Sequence, residues 1–454
     1  MSGVTFTRRQ VLAAGPAILA ARSDPRPNIL LFFPDQWRHD WTSFTPRLGV
    51  RTPHLAALAE RGVRFTNAIV PSPLCAPSRA CLASGREYSS CGVASNRFDY
   101  PVEQPTMYRR LRDAGYHVMG CGKLDLHKKT LDWGLDGRRL LAEWGFSDGI
   151  DNAGKRDAIA SGAVEPKDPY MALLHEQGLA RAHVEDFRKR KDYSATFPTP
   201  LPNSAYCDNW VGENGLKLLE RAPRAKPWFL AVNFTGPHEP MDITVSMERE
   251  CRGHAFPQPF ENTQFDAATH TAIRQNYSAM VENLDGWLGR YLDTLRSRGE
   301  LDKTLIVVSS DHGEMLGDHN RWAKSVPWQP SIGVPLVIAG PGVKRGRSID
   351  APVTTLDLTA TFLDYGRGSS LPQQNSLSMR PLLEGRAKRL RTHVRSGLGS
   401  WRCASDGRYK LVRGFAGAAS AASDLLFDLR DDAVESRNIA DRSPEIVRDL
   451  AARL

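Results

Sequence analysis

The chain has 454 residues, 41% of them hydrophobic and 24% charged, a balance that excludes collagen-like, low-complexity and broadly disordered chains. That length accommodates one large α/β core and a smaller second unit, because single cores seldom grow past roughly 250–300 residues. A net charge of +9 suits an anionic substrate, and basic residues spread along the chain without aromatic interleaving argue against nucleic acid as a partner.

In chain order, Thr7-Arg8-Arg9-Gln10-Val11-Leu12 comes first and resembles a twin-arginine export signal. An apolar stretch from Val11 to Ala21 and small residues at Ala20-Ala21 follow it. The stretch is far short of the ~20 residues a membrane-spanning helix needs. We therefore expect residues 1–26 to form a signal, the twin-arginine translocase to be a partner, and the protein to be exported to the periplasm or beyond.

Asn28 to Phe33 is a continuous apolar run and predicts a buried parallel strand, with Pro34-Asp35-Gln36 at its C-terminal end. Thr52-Pro53 predicts a helix start and Gly62 its close. Val63 to Val70 reads as the next extended segment. Residues 128–205 are charged and partly helical, which suggests an insertion shaping a pocket. Trp228 to Asn233 predicts a second buried strand, ending at Gly236-Pro237-His238. A long amphipathic helix follows, with Tyr277, Met280, Val281, Leu284, Leu288, Leu292 and Leu295 on one face. Leu305 to Val308 predicts a third strand, ending at Asp311-His312-Gly313, and Pro335 to Ala339 a fourth. From about residue 385 the pattern changes: Tyr409–Val412 and Leu425–Leu429 read as antiparallel strands joined by a Gly/Ala/Ser-rich turn, and a last helix runs from Pro444 to Leu454.

Strands alternating with helices imply a doubly wound α/β sheet. Ligands bind such sheets beyond the carboxyl ends of the strands. Three predicted strands deliver polar groups there: Asp35 and Gln36, His238, and Asp311 and His312. That convergence predicts one site. The seven cysteines, at 75, 81, 91, 121, 207, 251 and 403, include no Cys-x-x-Cys unit of the zinc type.

The most specific local pattern is Leu74-Cys75-Ala76-Pro77-Ser78-Arg79 followed by Leu82, Gly85 and Arg86. It resembles the signature of the type I, formylglycine-dependent sulfatases of the alkaline phosphatase superfamily. The resemblance extends over nearly all of the chain after the signal. It implies an alkaline-phosphatase-like doubly wound mixed sheet, a catalytic domain over 27–385 and a small C-terminal antiparallel sheet subdomain over 386–454. It also implies a sulfuric ester hydrolase acting on a sulfated saccharide or aryl compound. Cys75 would be oxidised to formylglycine by a separate formylglycine-generating enzyme that recognises Cys75, Pro77 and Arg79.

The resemblance further implies a divalent cation held by Asp35, Gln36, Asp311, His312 and residue 75. Oxygen donors suit Ca²⁺, Mg²⁺ or Mn²⁺; the family implies Ca²⁺ most often, while a nitrogen donor at His312 favours Mn²⁺. Arg79 would hold the hydrated aldehyde, and Lys123 and Lys324 would bind sulfate. His238 would contact the ester and protonate the leaving group. Asn96 is a further substrate-binding candidate. The family usually has His two residues after the first lysine, whereas this chain has Asp125, with His127 two further on. Either His127 takes that role or Asp125 acts as base.

Charge supports this mechanism. Sulfate puts anionic oxygens around an electrophilic sulfur, so cations must neutralise them and an activated oxygen must attack. A hydrated aldehyde has two hydroxyls: one attacks, and the other expels sulfate afterwards. Two rivals remain open. One is a phosphonate monoester or phosphodiester hydrolase of the same superfamily, in which Asp-Gln and Asp-His pairs also occur. The other is a non-catalytic glycan-binding homologue.

Overall fold

The computed structural model describes Met1 and residues 24–251, 253–416 and 424–454. The expected export signal lies outside the described residues. Among those described, no helix is long and apolar enough to cross a membrane.

The principal sheet has eight strands in the spatial order Asp148–Asp151, His117–Gly122, Trp228–Asn233, Asn28–Phe32, Thr304–Val308, Leu336–Ala339, Gly62–Phe65 and Arg347–Ile349. Leu336–Ala339 runs antiparallel to both neighbours and the other pairings are parallel. The sheet is therefore mixed and covered on both faces, which explains the unbroken apolar runs of its central strands. Ile29, Leu31 and Phe33 enter one core, with the helices Cys75–Ser84, Met107–Asp113 and Asp357–Gly366. Leu30 and Phe32 enter the opposite core, with Pro53–Glu60, Cys207–Glu220 and the long helix Ala267–Ser297. The seven apolar residues predicted on one face of that long helix are all buried.

The Pro53–Glu60 helix departs from its predicted signals. The Thr52 hydroxyl accepts the Ser43 N–H at 2.9 Å instead of capping the helix. The cap is tertiary: the Asp285 carboxylate accepts the His54 and Leu55 N–H groups at 3.0 and 2.8 Å. Gly62 does not close the helix but begins a strand. A Cβ there would lie 2.1 Å from the Ile338 carbonyl oxygen on the neighbouring strand, so close strand approach selects glycine. The extended segment 63–70 is two strands, Gly62–Phe65 in the main sheet and Ala68–Ile69 paired with Val353–Thr354.

Residues 128–205 supply an edge strand, Asp148–Asp151, and the helices Arg156–Gly162, Pro169–Glu176 and Ala180–Lys189. They pack around a small core of their own that includes Trp133, Tyr170, Met171 and Leu174. A four-stranded antiparallel sheet lies near the C-terminus, in the order Val394–Leu398, Trp401–Ser405, Tyr409–Arg413 and Leu425–Asp428. Its first two strands were not predicted. The Pro444–Ala451 helix packs Leu450 against Leu411 and Leu426.

Candidate active site

Four adjacent strands of the main sheet end at one place. Beyond Asn28–Phe32 come Asp35 and Gln36; beyond Thr304–Val308 come Asp311 and His312. Beyond His117–Gly122 comes Lys123, and beyond Trp228–Asn233 comes His238. A fifth contribution comes from the buried Cys75–Ser84 helix. Its chain enters through an extended Leu74, Pro77 sits in the first turn where no N–H is needed, and Gly85 at φ 67° ends it. The Asn96 side-chain oxygen accepts the Ala76 N–H at 3.0 Å, so Asn96 caps the helix that starts with Cys75.

Asp35, Cys75, Asp311 and His312 are buried, and one potential ligand atom from each lies within 4.8 Å of the others. The Cys75 Sγ is 3.2 Å from His312 Nε2 and 3.8 Å from Asp35 Oδ1. His312 Nε2 is 3.6 Å from Asp35 Oδ1 and 3.8 Å from Asp311 Oδ1. Calcium–oxygen bonds of about 2.3–2.6 Å set neighbouring donors roughly 3.3–3.7 Å apart at right angles, so the spacing and the two carboxylates fit a hard divalent cation.

Arg79 ties the carboxylates together. Its Nε donates to Asp311 Oδ2 at 2.9 Å, and another nitrogen reaches Asp35 Oδ2 at 3.4 Å. It also donates to the Asn233 side chain and the Lys123 carbonyl. Burial pushes Asp35 up, but Lys123, His238, His312 and Arg79 hold it well below the usual carboxylate range. Burial raises Asp311 against the pull of Arg79, and Asp35's charge adds to the rise. Burial and Asp35 also push the Cys75 thiol up, yet Lys123, Lys324 and His312 outweigh them and hold it well below the usual thiol range. Burial works against a charged His312, but Asp311 and Cys75 prevail and push it up to about 8.

Gln36 differs from the four clustered residues. Its N–H donates to Asp311 Oδ1 at 3.0 Å, and its amide is engaged by three side chains. The amide oxygen accepts from Lys324, and the amide nitrogen donates to Glu314 and, at 2.8 Å, to Glu239. Lys324 also contacts His238 Nε2, while His238 Nδ1 sits 2.6 Å from the Glu239 carbonyl and 3.1 Å from its carboxylate. Burial opposes ionisation of Glu239, but His238, Lys324 and Arg156 overcome it and bring its carboxyl down to about 2.

Asp125 and His127 part company. The buried Asp125 carboxylate lies 3.3 Å from Lys123 Nζ and accepts from Lys128 at 2.9 Å. His127 packs near the Trp133 and Trp144 rings, with centroids 6.2 Å away in both cases, and burial lowers its pKa. Cys75, Asn96, Lys123, His238 and Lys324 line a cavity of about 230 Å³, and His127 is not among its lining residues. Lys128, Lys155, Arg156 and Asp157 line it too. Sequence reasoning assigned these four no role. Glu239 and Glu314 were missed as well, although each stands within two residues of a predicted histidine.

The Lys324 loop is held from outside the main sheet. Ala323 and Ser325 take φ of 59° and 78°. The Ala323 N–H donates to Glu314 at 2.7 Å, and the Ser325 N–H donates to the Pro73 carbonyl, two residues before Cys75. From the C-terminal sheet, Trp401 Nε1 donates to the Ser325 carbonyl at 3.2 Å and the fully buried Lys410 donates to the Pro327 carbonyl at 2.6 Å. Lys410 pairs with the buried Glu435, which accepts the Gln329 N–H at 2.6 Å.

The sequence profile of the sulfatase family matches residues 27–369. This chain belongs to the sulfatase family. The sulfatase is 26% identical over 442 residues to an arylsulfatase of Clostridium perfringens, covering 91% of this chain and 90% of that one. It is 26% identical over 456 residues to a choline-sulfatase of Rhizobium meliloti, covering 92% and 83%. Its fold is similar to that of a phosphonate monoester hydrolase of Agrobacterium radiobacter, with a TM-score of 0.78 at 22% identity and 94% of each chain covered. It is also similar to a protein solved with D-glucosamine-2-N,6-O-disulfate, with a TM-score of 0.75 at 18% identity, covering 94% of this chain and 97% of that one. The expected α/β fold of the alkaline phosphatase superfamily and the expected enzyme class both stand.

Proposed function

We propose that this sulfatase cleaves the sulfate ester of a saccharide or aryl alcohol with a nucleophile built on Cys75. One observation carries this reading: the Cys75 side chain sits 3.2 Å from His312 and 3.8 Å from Asp35, at the end of a cavity lined by Lys123 and Lys324. The family assignment and a structural neighbour's glucosamine disulfate ligand support a sulfated substrate. Formylglycine at position 75, made by a formylglycine-generating enzyme, would supply an aldehyde hydrate with one hydroxyl for attack and one for release of sulfate. A divalent cation, Ca²⁺ on grounds of hard oxygen donors, would be held by Asp35, Gln36, Asp311, His312 and residue 75, and would supply Lewis acidity.

The chain's own residues do the rest. Arg79 fixes the spacing of Asp35 and Asp311. Lys123 and Lys324 bind the ester oxygens and balance their charge. The Glu239 contacts at His238 Nδ1 fix the ring and turn Nε2 to Lys324, so that the His238–Lys324 pair hands a proton to the departing oxygen. For the base we favour Asp125, whose carboxylate pairs with the cavity-lining Lys123 and Lys128, over His127, which packs near the Trp133 and Trp144 rings; neither borders the cavity itself. Asn96 holds the start of the nucleophile helix and borders the substrate.

Two measurements test the reading: the mass of the tryptic peptide containing residue 75, and hydrolysis of 4-nitrophenyl sulfate beside an aryl phosphonate. Aldehyde at position 75 and faster sulfate turnover are expected. Cysteine as the only species in the native host, or faster phosphonate turnover at equal concentration, refutes it. We also infer export by the twin-arginine route, on the strength of Arg8-Arg9 and the apolar stretch behind them. Replacing both arginines with lysine should then retain the protein in the cytoplasm.

A further inference from the structure

The cations around the cavity are not equally committed. Lys123 is held by Asp35 and Asp125. Lys128 pairs with Asp125 at 2.9 Å and Asp157 at 2.7 Å. Lys155 pairs with Asp242 at 2.8 Å and reaches the Tyr206 hydroxyl at 3.2 Å. Arg156 stands apart. Its closest carboxylate is Glu239, at 3.9 Å, beyond hydrogen-bond distance. Among the described residues its guanidinium donates no hydrogen bond, and its side chain is 55% exposed. Glu239 is occupied elsewhere, by Gln36 and His238.

The lining also limits the alcohol half of the ester. No Phe, Tyr or Trp borders the cavity among the described residues. A flat aryl group or a quaternary ammonium would therefore find no aromatic face, and Arg156 would repel a cation. The volume of about 230 Å³ is below the ~300–1,000 Å³ of ordinary small-molecule pockets. The alcohol half must be compact, or leave through the mouth past Arg156.

We propose that Arg156 receives a second oxyanion, a carboxylate or a further sulfate, carried on the alcohol half of the substrate. This inference rests on the sulfatase reading above. The guanidinium fork offers paired donors that either oxyanion accepts, and charge-assisted pairs are the strong ones. The preferred substrates are then small sugar sulfates bearing two negative charges, and Arg156 sets that preference.

Matched pairs of esters test this on the full-length, aldehyde-bearing enzyme. The carboxylate arm compares the 2-, 3- and 4-sulfates of methyl glucoside with those of methyl glucuronide. The sulfate arm compares the 3- and 6-sulfates of N-acetylglucosamine with those of N-sulfoglucosamine. At whichever position is cleaved, kcat/KM for the doubly charged member should be about tenfold higher or more, carried by KM. Arg156→Gln should bring that ratio close to one and Arg156→Lys should restore part of it. A ratio of one or less in the native enzyme overturns the proposal, as does an equal loss on both members in R156Q. The singly charged esters separate the two levels. If the aldehyde-bearing enzyme cleaves no ester of either arm, the nucleophile reading falls; if it cleaves the singly charged members while no doubly charged sugar is favoured, only the role of Arg156 falls.

Discussion

The floor of the cavity and the wall formed by residues 128–205 are built differently. On the floor, Asp35, Arg79, Asp311 and His312 hang from strand ends and from a helix packed against the sheet. Each buried charge there has an opposite charge within 4 Å. The wall packs around a small core of its own. Within that core His183 is 1% exposed, with neither ring nitrogen partnered, between the rings of Tyr170 and Phe187. The floor thus hangs from the centre of the sheet, and the wall from its edge strand and a smaller core. On the proposed reading, chemistry belongs to the first and substrate selection to the second.

The largest effect should come from the floor. Cys75→Ala should remove turnover by about 10⁴-fold or more with the thermal melt close to native; residual activity above one part in a hundred would take the nucleophile away from this position. Next, Lys410→Met leaves Glu435 charged and buried without its partner, at a cost of about 3–5 kcal/mol. It should also lower kcat, because the Lys324 loop loses its anchor. Pairing it with Glu435→Leu should recover most of the stability in a denaturant titration; no recovery would mean that the ion pair is not the cause. Chelation comes third. EDTA should lower the melting temperature, and Ca²⁺ should restore it, by about 2.7 kcal/mol at a hundredfold excess over Kd. An unmoved melt would show that Asp35 and Asp311 hold no cation that stabilises the fold.

The smallest effect tests the wall. Burial brings the His183 pKa down to about 3, whereas an unfolded histidine titrates near ~6.5. Between those values the unfolded chain binds a proton that the folded one refuses. Stability should be fully present above about pH 6.5 and fall as pH drops toward 3, with a limiting slope of about 1.4 kcal/mol per unit. His183→Phe should flatten that slope in melts recorded from pH 7 to 5. A slope that survives the substitution would place the acid sensitivity elsewhere.

The floor was legible in the sequence because each of its parts sits where an apolar run stops. Asp35, His238 and Asp311 each follow within five residues of a buried strand, and strand direction then brings them together. The wall was not legible. Asp148–Asp151 is a short edge strand with a glycine inside it, and its periodicity is too brief to read. Lys128 falls in a Lys-Lys run that looks like solvated surface, yet Asp125 and Asp157 bury it. Asp125 takes a positive φ of 52°, which no local signal announces. Gly62 misled for a related reason: its partner, the Ile338 carbonyl, is remote in the chain.

The clasp on the Lys324 loop also has a meaning in time. Lys410 and Glu435 lie near the end of the chain, and the loop they secure closes against Pro73, just ahead of a Cys75 that is 1% exposed once folded. A nascent chain exposes residue 75 long before residue 435 has been synthesised. The order of synthesis would therefore leave the proposed formylglycine-generating enzyme an interval in which to reach Cys75, before the C-terminal strands secure the Lys324 loop.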